Sequence, residues 1–296
     1  MRRVPLHEKG GIITGRNADF CTIRLRIPAG VVTPEQLTGI SEIAKKYGAD
    51  TIHLTNRQTI EIPHVNPDQI EEIVADLEEN NTPLGAERAE VVNITACPGT
   101  NRCKLAQIET IDLAKSIDAM HFGKEMPCKI RIAISGCPNS CMSSSLNEIG
   151  IVGVLTPTRE PGTCTGCGTC VQYCRDDAIV IKNGVIEIDE DLCTHCGMCI
   201  DSCPFHIIKG KDSGYYITVG GRRGRHPKLG QDLVVVRDVE NVLTAVDGVV
   251  NWIYRQAWSS KLLTYQMDDI GFEQAKEKII ASLPEDSIIV WKKKRR

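Results

Sequence analysis

Eight cysteines near the middle of the chain have the spacing of iron–sulfur cluster ligands. They form two runs, Cys164-x2-Cys167-x2-Cys170-x3-Cys174 and Cys193-x2-Cys196-x2-Cys199-x3-Cys203, and Pro204 follows the second run. The two-residue spacing lets one tight loop direct three thiolates at adjacent corners of a cubic [4Fe–4S] cluster. The alternative is zinc, which usually takes two Cys-x2-Cys pairs. Two complete quartets, the second followed by proline, favour iron–sulfur clusters.

This segment resembles a two-cluster bacterial ferredoxin over residues 158–210. In that family the fourth ligand of each cluster comes from the other run of cysteines. The resemblance therefore implies two crossed ligand sets: Cys164, Cys167, Cys170 and Cys203 for one cluster, and Cys193, Cys196, Cys199 and Cys174 for the other. The sequence departs from the ferredoxin pattern at Arg175, where a second proline often stands. This departure affects the turn after the cysteine and not the ligands.

Four further cysteines lie in two loops with a different spacing. The loops read Cys97-Pro-Gly-Thr-Asn-Arg-Cys103 and Gly136-Cys137-Pro-Asn-Ser-Cys141, and each follows a predicted strand and precedes a predicted helix. Helix N-termini present free N–H groups and a positive dipole end, which suit thiolates and cluster sulfides. The alternative is four unrelated core cysteines, but these rarely lie in paired loops that carry proline and glycine. The last two cysteines, Cys21 and Cys128, are predicted to be core thiols.

The two loops resemble the siroheme–[4Fe–4S] site of sulfite and nitrite reductases. Three other stretches carry the resemblance: Thr55-Asn-Arg-Gln-Thr59, Pro127-Cys-Lys-Ile-Arg131 and Tyr216-Ile-Thr-Val-Gly-Gly-Arg-Arg-Gly224. The match runs over nearly the whole chain. Within the family, the chain is most similar to the catalytic subunit of anaerobic, dissimilatory-type sulfite reductases. This similarity extends to the inserted ferredoxin segment.

The resemblance implies siroheme and three [4Fe–4S] clusters as cofactors, and it implies a role for each matching residue. The third cluster would be held by Cys97, Cys103, Cys137 and Cys141, and the last of these would also bridge to the siroheme iron. The implied catalytic residues are Arg57, Lys129, Arg131 and Arg102. The other implied cofactor-binding residues are Asn139, which follows Pro138 in the second loop, and Gly221, Arg222 and Arg223.

These residue types suit the implied chemistry. Siroheme carries eight carboxylates, so its pocket needs cations or helix N-termini. Sulfite and nitrite are small anions, which arginine meets with forked donors and lysine with a mobile point charge. The alternative for each cation is a solvent-facing charge on a half-exposed sheet. In dissimilatory relatives a further lysine often lies two residues after the position of Arg131, and here that position is Ala133.

The elements that position these residues predict an α+β fold in two blocks. Residues 15–80 are predicted to form a β-α-β-α unit, with strands at 20–28 and 51–62 and a helix capped by Thr33, Pro34 and Gln36. In the second block, strands are predicted at 91–95, 127–135, 149–155, 215–220 and 232–237, and helices at 104–120, 238–258 and 271–283. The predicted domains are a ferredoxin-like half-domain (1–85), a siroheme-binding domain (86–157 and 211–296) and an inserted ferredoxin domain (158–210).

The composition excludes several classes of protein. The 296 residues include 42% apolar and 25% charged residues, which excludes a wholly disordered chain. No apolar run approaches the ~20 residues of a membrane helix. The first residues lack the apolar core of a secretory signal, so a cytoplasmic location is expected by default. A net charge of −3 gives no reason to expect nucleic acid, and the basic residues 292–296 are predicted to be a solvated tail.

The predicted activity is the six-electron reduction of sulfite to sulfide, with electrons passing through the inserted ferredoxin. The alternatives are a siroheme nitrite reductase and a non-catalytic siroheme or electron-transfer protein. No nicotinamide or flavin fingerprint is visible, so the electron donor is expected to be a separate subunit or carrier. Fused members of the family carry two copies of this block, whereas this chain carries one. We therefore predict a homodimer or a pairing with a related subunit.

Overall fold

A computed structural model describes residues 10–15, 19–162 and 164–290 of the chain. Two expectations concern residues outside these ranges. They are the lack of a secretory signal in the first residues and the solvated basic tail at residues 292–296. None of the helices within these ranges is long and apolar enough to cross a membrane.

The first block is a four-stranded antiparallel sheet in the order β1-β2-β4-β3 with two helices. Its elements are β1 Ile12–Thr14, β2 Cys21–Arg24, α1 Pro34–Lys46, β3 His53–Leu54, β4 Ile60–Val65 and α2 Ile70–Glu79. Apolar side chains of both helices and of the sheet, including the buried Cys21, share one hydrophobic core. This confirms Cys21 as a core thiol and the two predicted helices, but the observed order is β-β-α-β-β-α instead of the predicted β-α-β-α.

The predicted helix start is confirmed at α1. Thr33 Oγ1 accepts a hydrogen bond from Gln36 N at 3.2 Å, and Gln36 Oε1 accepts one from Thr33 N at 3.0 Å. Two of the N–H groups that the helix cannot bond internally are therefore satisfied, and Pro34 needs no partner at the first helical position.

The prediction of one strand over residues 51–62 is wrong. The segment folds into two strands, β3 and β4, joined by a tight turn at residues 55–59. Thr55 N donates to Thr59 O at 2.9 Å, and Gln58 has a positive φ of 55°, which reverses the chain. The turn places Arg57 at a loop apex instead of in a strand, and this frees its side chain to leave the sheet.

The second block is a five-stranded sheet in the order β11-β10-β7-β6-β5. The strands are β5 Thr95–Ala96, β6 Ile132–Ser135, β7 Ile149–Arg159, β10 Ile208–Val219 and β11 Gln231–Val236, and the helices are α3 Ile111–His121, α6 Val239–Gln256 and α7 Phe272–Ala281. The strands β5, β6 and β7 are parallel, and β7, β10 and β11 are antiparallel. The three helices and the sheet share a core that contains Cys128, which confirms this residue as a core thiol.

The predicted helix over residues 104–120 is wrong in its first turns. Residues 104–110 form a loop, and α3 begins at Ile111. The Glu109 carboxylate accepts hydrogen bonds from Ile111 N and Asp112 N, both at 2.8 Å, so it caps the helix at this point. The apolar spacing predicts a longer helix, but this local cap makes the helix begin later in the sequence than predicted.

Residues 160–207 project from the end of the long β7–β10 hairpin, where Arg159 pairs with Ile208. This projecting segment contains α4 Thr169–Tyr173, β8 Ile179–Lys182, β9 Val185–Ile188 and α5 Met198–Ser202. The strands β8 and β9 form a hairpin through Asn183-Gly184, both with positive φ, as a two-residue turn of this kind requires.

Several hydrogen bonds and ion pairs dock the first block on the second. Gln58 Nε2 donates to Ala96 O at 2.7 Å, and Ala96 N donates to Gln58 Oε1 at 2.8 Å. Asn93 Nδ2 donates to Arg57 O at 2.8 Å, and Arg26 Nε donates to Asp118 Oδ2 at 2.8 Å. The turn that carries Arg57 is therefore attached to the strand that leads into Cys97.

Candidate functional site

The two cysteine loops of the second block lie at one edge of its sheet. Cys97 follows β5 directly, and Cys137 follows β6 after one glycine. Because these strands are parallel, their carboxyl ends meet at the same edge, where open α/β sheets usually bind ligands. Gly136 N donates a hydrogen bond to Cys97 Sγ at 3.0 Å, which joins the two loops.

The structure brings the four predicted ligands together; we call Cys97, Cys103, Cys137 and Cys141 the four-cysteine site. Burial raises the pKa of Cys137, and the nearby Cys103, Cys141 and Cys97 raise it further. Cys97 and Cys137 are buried, whereas Cys141 is exposed. One side of the site is therefore closed by the protein, and the side of Cys141 is open.

The two crossed sets of the projecting segment are also supported by the structure. Burial and the charges of Cys203 and Cys164 raise the pKa of Cys170, and Cys167 lies between Cys164 and Cys170 on an exposed loop. The second set, Cys174, Cys193, Cys196 and Cys199, lines one small cavity. The last cysteine of each run thus lies near the first three cysteines of the other run, and the crossed ligand sets stay a prediction.

The cysteine sites fit iron–sulfur clusters better than single metal ions. Across the described residues, no three Cys, His, Asp or Glu side chains converge as the ligands of one ion would. In a [4Fe–4S] cluster each thiolate binds a different iron, so the four sulfurs surround the cluster instead of meeting at a point. Burial raises the pKa of Cys193 to about 11 and that of Cys199 to about 12. Thiolates at such positions need a metal to stabilise their charge.

A set of five cations lies beside the four-cysteine site. We call it the cationic cluster: Arg24, Arg57, Lys129, Arg131 and Arg223. Burial and the charges of Arg131, Arg24 and Arg223 lower the pKa of Arg57 to about 10. Burial and the charges of Arg57, Arg24 and Arg131 lower the pKa of Lys129 to about 8. These cations repel one another, and an anionic ligand would relieve the repulsion.

Two of the predicted catalytic cations already have carboxylate partners. Lys129 Nζ lies 2.6 Å from Glu87 Oε1. Arg131 Nε donates to Glu148 Oε2 at 2.7 Å, and its main-chain N donates to the same oxygen at 3.0 Å. Glu148 is 1% exposed, and its hydrogen bonds raise the pKa of Arg131. Arg131 is thereby held in one orientation.

Arg57 differs from Lys129 and Arg131. No salt bridge reaches its guanidinium from any residue that the structure describes. Its main-chain oxygen is held by Asn93, whereas its side chain is half-buried and faces Arg131 and Arg223. Arg57 is therefore the cation best placed to meet an added anion.

Sequence reasoning missed three members of this site. Arg24 in β2 forms salt bridges with Glu61 and Glu87, and its charge acts on both Arg57 and Lys129. The alternation of β2 could have marked Arg24 as facing away from the helices. Nothing in the local sequence marks Glu87 or Glu148 as partners, because both pairings cross between elements.

Arg222 and Arg223, in the loop after β10, have different partners. The Arg223 guanidinium donates to Met142 O, next to Cys141, and the burial and charge of its surroundings lower its pKa. Arg222 instead donates to His226 O at 2.5 Å and stacks on the Tyr265 ring at 4.6 Å. Only Arg223 joins the cationic cluster.

The other predicted residues occupy the rim. Gly221 is buried, and a Cβ there would lie 2.4 Å from Ser145 O, so no other residue fits without a shift. Asn139 is exposed, and its Oδ1 accepts a hydrogen bond from Arg175 Nη1 at 2.9 Å. Arg102 is exposed in the first cysteine loop and lies outside the cationic cluster. Its catalytic role stays a prediction.

Comparison with known proteins identifies the family of this chain. The description "Nitrite/Sulfite reductase ferredoxin-like half domain" matches residues 13–80, and "Nitrite and sulphite reductase 4Fe-4S domain" matches residues 87–286. The chain belongs to the nitrite and sulfite reductase family. In this family's terms, the first block is the ferredoxin-like half domain and the second block belongs to the 4Fe-4S domain. The family assignment supports siroheme and a [4Fe–4S] cluster as cofactors.

Individual relatives carry names from the same family. The chain is 36% identical over 249 residues to the coenzyme F420-dependent sulfite reductase of Methanocaldococcus jannaschii, a match that covers 83% of this chain and 38% of that protein. It is 32% identical over 228 residues to a subunit of the anaerobic sulfite reductase of Salmonella typhimurium, covering 71% of this chain and 67% of that relative. The chain thus spans less than half the length of the archaeal relative.

The fold has a counterpart among solved structures. Dissimilatory sulfite reductase I superimposes with a TM-score of 0.70, covering 92% of this chain and 72% of that chain. The two are only 19% identical in sequence, so this likeness concerns the fold.

Proposed function

We propose that this chain is the siroheme- and [4Fe–4S]-containing catalytic chain of a sulfite reductase, which reduces sulfite to sulfide with six electrons. The observation that carries the proposal is the cationic cluster beside the four-cysteine site, joined by the Gln58–Ala96 and Arg223–Met142 contacts. A polycarboxylate macrocycle and a small oxyanion both need such a concentration of positive charge.

Within this proposal the four cysteines would hold the cluster, and Cys141, on the exposed side of the site, would be the ligand nearest siroheme. When bound, siroheme and its cluster supply the iron that holds the substrate and the electrons that reduce it. Asn139, Gly221 and Arg223 lie at the edge of this space, and the Arg223 guanidinium would be placed to bind a siroheme carboxylate. Arg222, which stacks on Tyr265, supports the loop in this role.

The cations bind and orient the substrate anion. Arg57 donates its free guanidinium N–H groups to the anion and stabilises its negative charge. Lys129, whose pKa is lowered to about 8, holds or releases a proton at Nζ near neutral pH. Glu148 keeps Arg131 in a fixed orientation, so the second guanidinium needs no rearrangement when the anion arrives.

The projecting segment is proposed to be a two-cluster ferredoxin domain over residues 158–210, inserted between 86–157 and 211–296. Its crossed cysteine sets would carry electrons from an external donor subunit or carrier towards the four-cysteine site. With the third cluster and siroheme, the chain would contain about thirteen iron atoms, four for each cluster and one for siroheme.

The experiment is an anaerobic purification followed by an absorption spectrum, an iron analysis, and assays for sulfide and ammonia with a strong artificial donor. We expect siroheme bands, about thirteen iron atoms per chain and sulfide as the main product. The Arg57→Gln variant is the matched control, because it should keep the bands and lose most of the activity. Ammonia from nitrite formed far faster than sulfide would favour the nitrite reductase alternative, and missing siroheme bands would refute both.

We also propose a homodimer or a pairing with a related subunit, as the single copy of the block predicts. The cations and the cysteines of the candidate site come together within one chain. Light scattering on the anaerobic protein measures the assembly directly. A fully active monomer would contradict the pairing.

A further inference from the structure

We propose that Gln107 is the electron-transfer contact between the projecting segment and the four-cysteine site. This inference rests on the proposed function, because it assumes a cluster on each side of the contact. It assigns a positioning role to a residue in the loop between Cys103 and α3.

Gln107 connects the two cluster sites through two hydrogen bonds. Its side-chain Nε2 donates to Cys196 O at 3.1 Å. Its main-chain N donates to Gly136 O at 2.6 Å, and the carbonyl of Gly136 is bonded to the nitrogen of Cys137. One residue therefore links a proposed ligand of the second crossed set to a proposed ligand of the four-cysteine site.

The contact is closely packed. A Cβ on Gly197, the residue after Cys196, would lie 2.8 Å from Gln107 Nε2. The glycine lets the cysteine loop approach the glutamine side chain. The loop after Cys103 is anchored as well, because Ala106 N donates to Cys103 O at 3.2 Å.

The route is favourable because electronic coupling decays less along bonds and hydrogen bonds than across empty gaps. From Cys196 the route crosses one hydrogen bond, the Gln107 side chain and a second hydrogen bond, and then reaches Cys137. Cys196 and Cys137 are themselves proposed to bind iron through their sulfurs, so no further residue is needed at either end.

Other contacts join the same parts of the chain, and they are poorer routes. Leu155 N donates to His195 O at 2.7 Å, which leads into β7 and not towards a cysteine of the four-cysteine site. Arg175 Nη1 donates to Asn139 Oδ1 at 2.9 Å, but this hydrogen bond is exposed. A route through it would also run along the whole arginine side chain and then along the main chain from Asn139 back to Cys137. His195 Nδ1 lies 3.1 Å from Thr156 Oγ1, and this contact leads into β7 instead of towards a cysteine. The two side-chain contacts dock the projecting segment and serve as controls.

The proposed step moves one electron at a time. A low-potential one-electron donor such as reduced methyl viologen first reduces the cluster held by the second crossed set. That cluster is then oxidised by one electron, and the cofactor at the four-cysteine site is reduced by one. No covalent bond forms or breaks, no proton is transferred, and Gln107 leaves the step unchanged.

The test compares Gln107→Met with Thr156→Val and Arg175→Gln in anaerobically purified holoprotein. Gln107→Met keeps the size of the side chain and removes the donor at Nε2. The controls each remove one docking hydrogen bond and leave the glutamine route intact. Rapid mixing with the reduced donor in the absence of sulfite gives the rate at which the siroheme absorption changes, and freeze-quenched paramagnetic resonance follows the clusters. Iron content and cluster midpoint potentials are measured on the same samples.

We expect Gln107→Met to slow the transfer by about tenfold or more, the factor that ~1.4 kcal/mol of barrier represents, with iron content and potentials unchanged. Each control variant should stay within about twofold of the unmodified protein, equivalent to ~0.4 kcal/mol of barrier. If Gln107→Met loses iron, Gln107→Glu carries the same test, since it also lacks the Nε2 donor and remains polar.

An unchanged rate in the glutamine variant would overturn the proposal. Equal slowing in Thr156→Val would also overturn it, because the contact would then only dock the segment. The transfer is measured without sulfite, so its outcome is separate from that of the proposed function. If no sulfide forms from sulfite but Gln107→Met still slows the transfer, the proposed function fails and the contact stands.

Discussion

Replacing Arg57 with glutamine should stabilise the siroheme-free protein and, in the loaded protein, impair sulfite reduction. The reason is the crowding of positive charge in the cationic cluster, where Arg57 has no carboxylate partner within the described part of the chain. A residue kept for binding an anion is expected to destabilise the fold until that anion is present.

The magnitude follows from the pKa of Arg57, which falls from 12.5 to about 10. This difference of about 2.5 units, at ~1.4 kcal/mol per unit, makes the charged form ~3 kcal/mol less favourable in the folded protein than in the unfolded chain. The charge is therefore unfavourable for folding at pH 7. Because the guanidinium is partly exposed and its aliphatic part packs, we expect a net gain of about 1–2 kcal/mol on substitution.

The assay is urea denaturation of cluster-loaded protein produced in cells that cannot make siroheme. Arg26→Gln is the matched control, because Arg26 is also half-buried but forms a salt bridge with Asp118 and stacks on Phe122 at 4.6 Å. Its removal leaves a buried carboxylate without a partner and should lower the free energy of unfolding by ~1–3 kcal/mol. The two variants should thus shift stability in opposite directions.

The same substitution should lower kcat/KM for sulfite by about 10²–10³, as loss of one donor to a developing oxyanion does. Our reasoning is refuted if Arg57→Gln destabilises the siroheme-free protein as strongly as Arg26→Gln does. It is also refuted if sulfite reduction is unaffected while siroheme remains bound.

Three further predictions concern neighbouring groups. The pKa of Lys129 is lowered to about 8, so its Nζ is charged below that pH and neutral above it. In steady-state kinetics, KM for sulfite should therefore rise as the pH increases through about 8. Lys129→Arg should flatten this rise. Glu148→Ala leaves Arg131 buried and unpaired and should lower the free energy of unfolding by ~3–5 kcal/mol in urea denaturation, whereas a loss below ~1 kcal/mol would show that the pair is unimportant. If the ligand sets are crossed, Cys174 and Cys193 serve one cluster, so a double serine variant should lose about four iron atoms per chain, and a loss of about eight would show uncrossed sets.

Much of the fold could be predicted because its signals are local. The capping box at Thr33 and the alternation of the first strands depend on residues within a few positions of each other. The errors came where a local signal was overridden. The strand expected over 51–62 is broken by the positive φ of Gln58, and the helix expected from residue 104 starts at Ile111 because Glu109 caps it there.

The sequence by itself determined the local runs of cysteines, because cysteines a few residues apart are held together by the chain whatever surrounds them. The tertiary structure decided which runs lie together, since the Cys97 and Cys137 loops meet only because β5 and β6 are parallel neighbours. The motif around Arg57 and the segment with Lys129 and Arg131 were also visible in the sequence, although the strand predicted over 127–135 begins only at Ile132, so both cations precede β6. Which cations are free was decided only by the tertiary structure. Folding of the second block gives Lys129 the carboxylate of Glu87, and docking of the two blocks leaves Arg57 among like charges without a carboxylate partner in the described residues. Pairings of this kind join residues far apart in sequence, and so does the Gln107 contact with Cys196, which no spacing in the chain predicts.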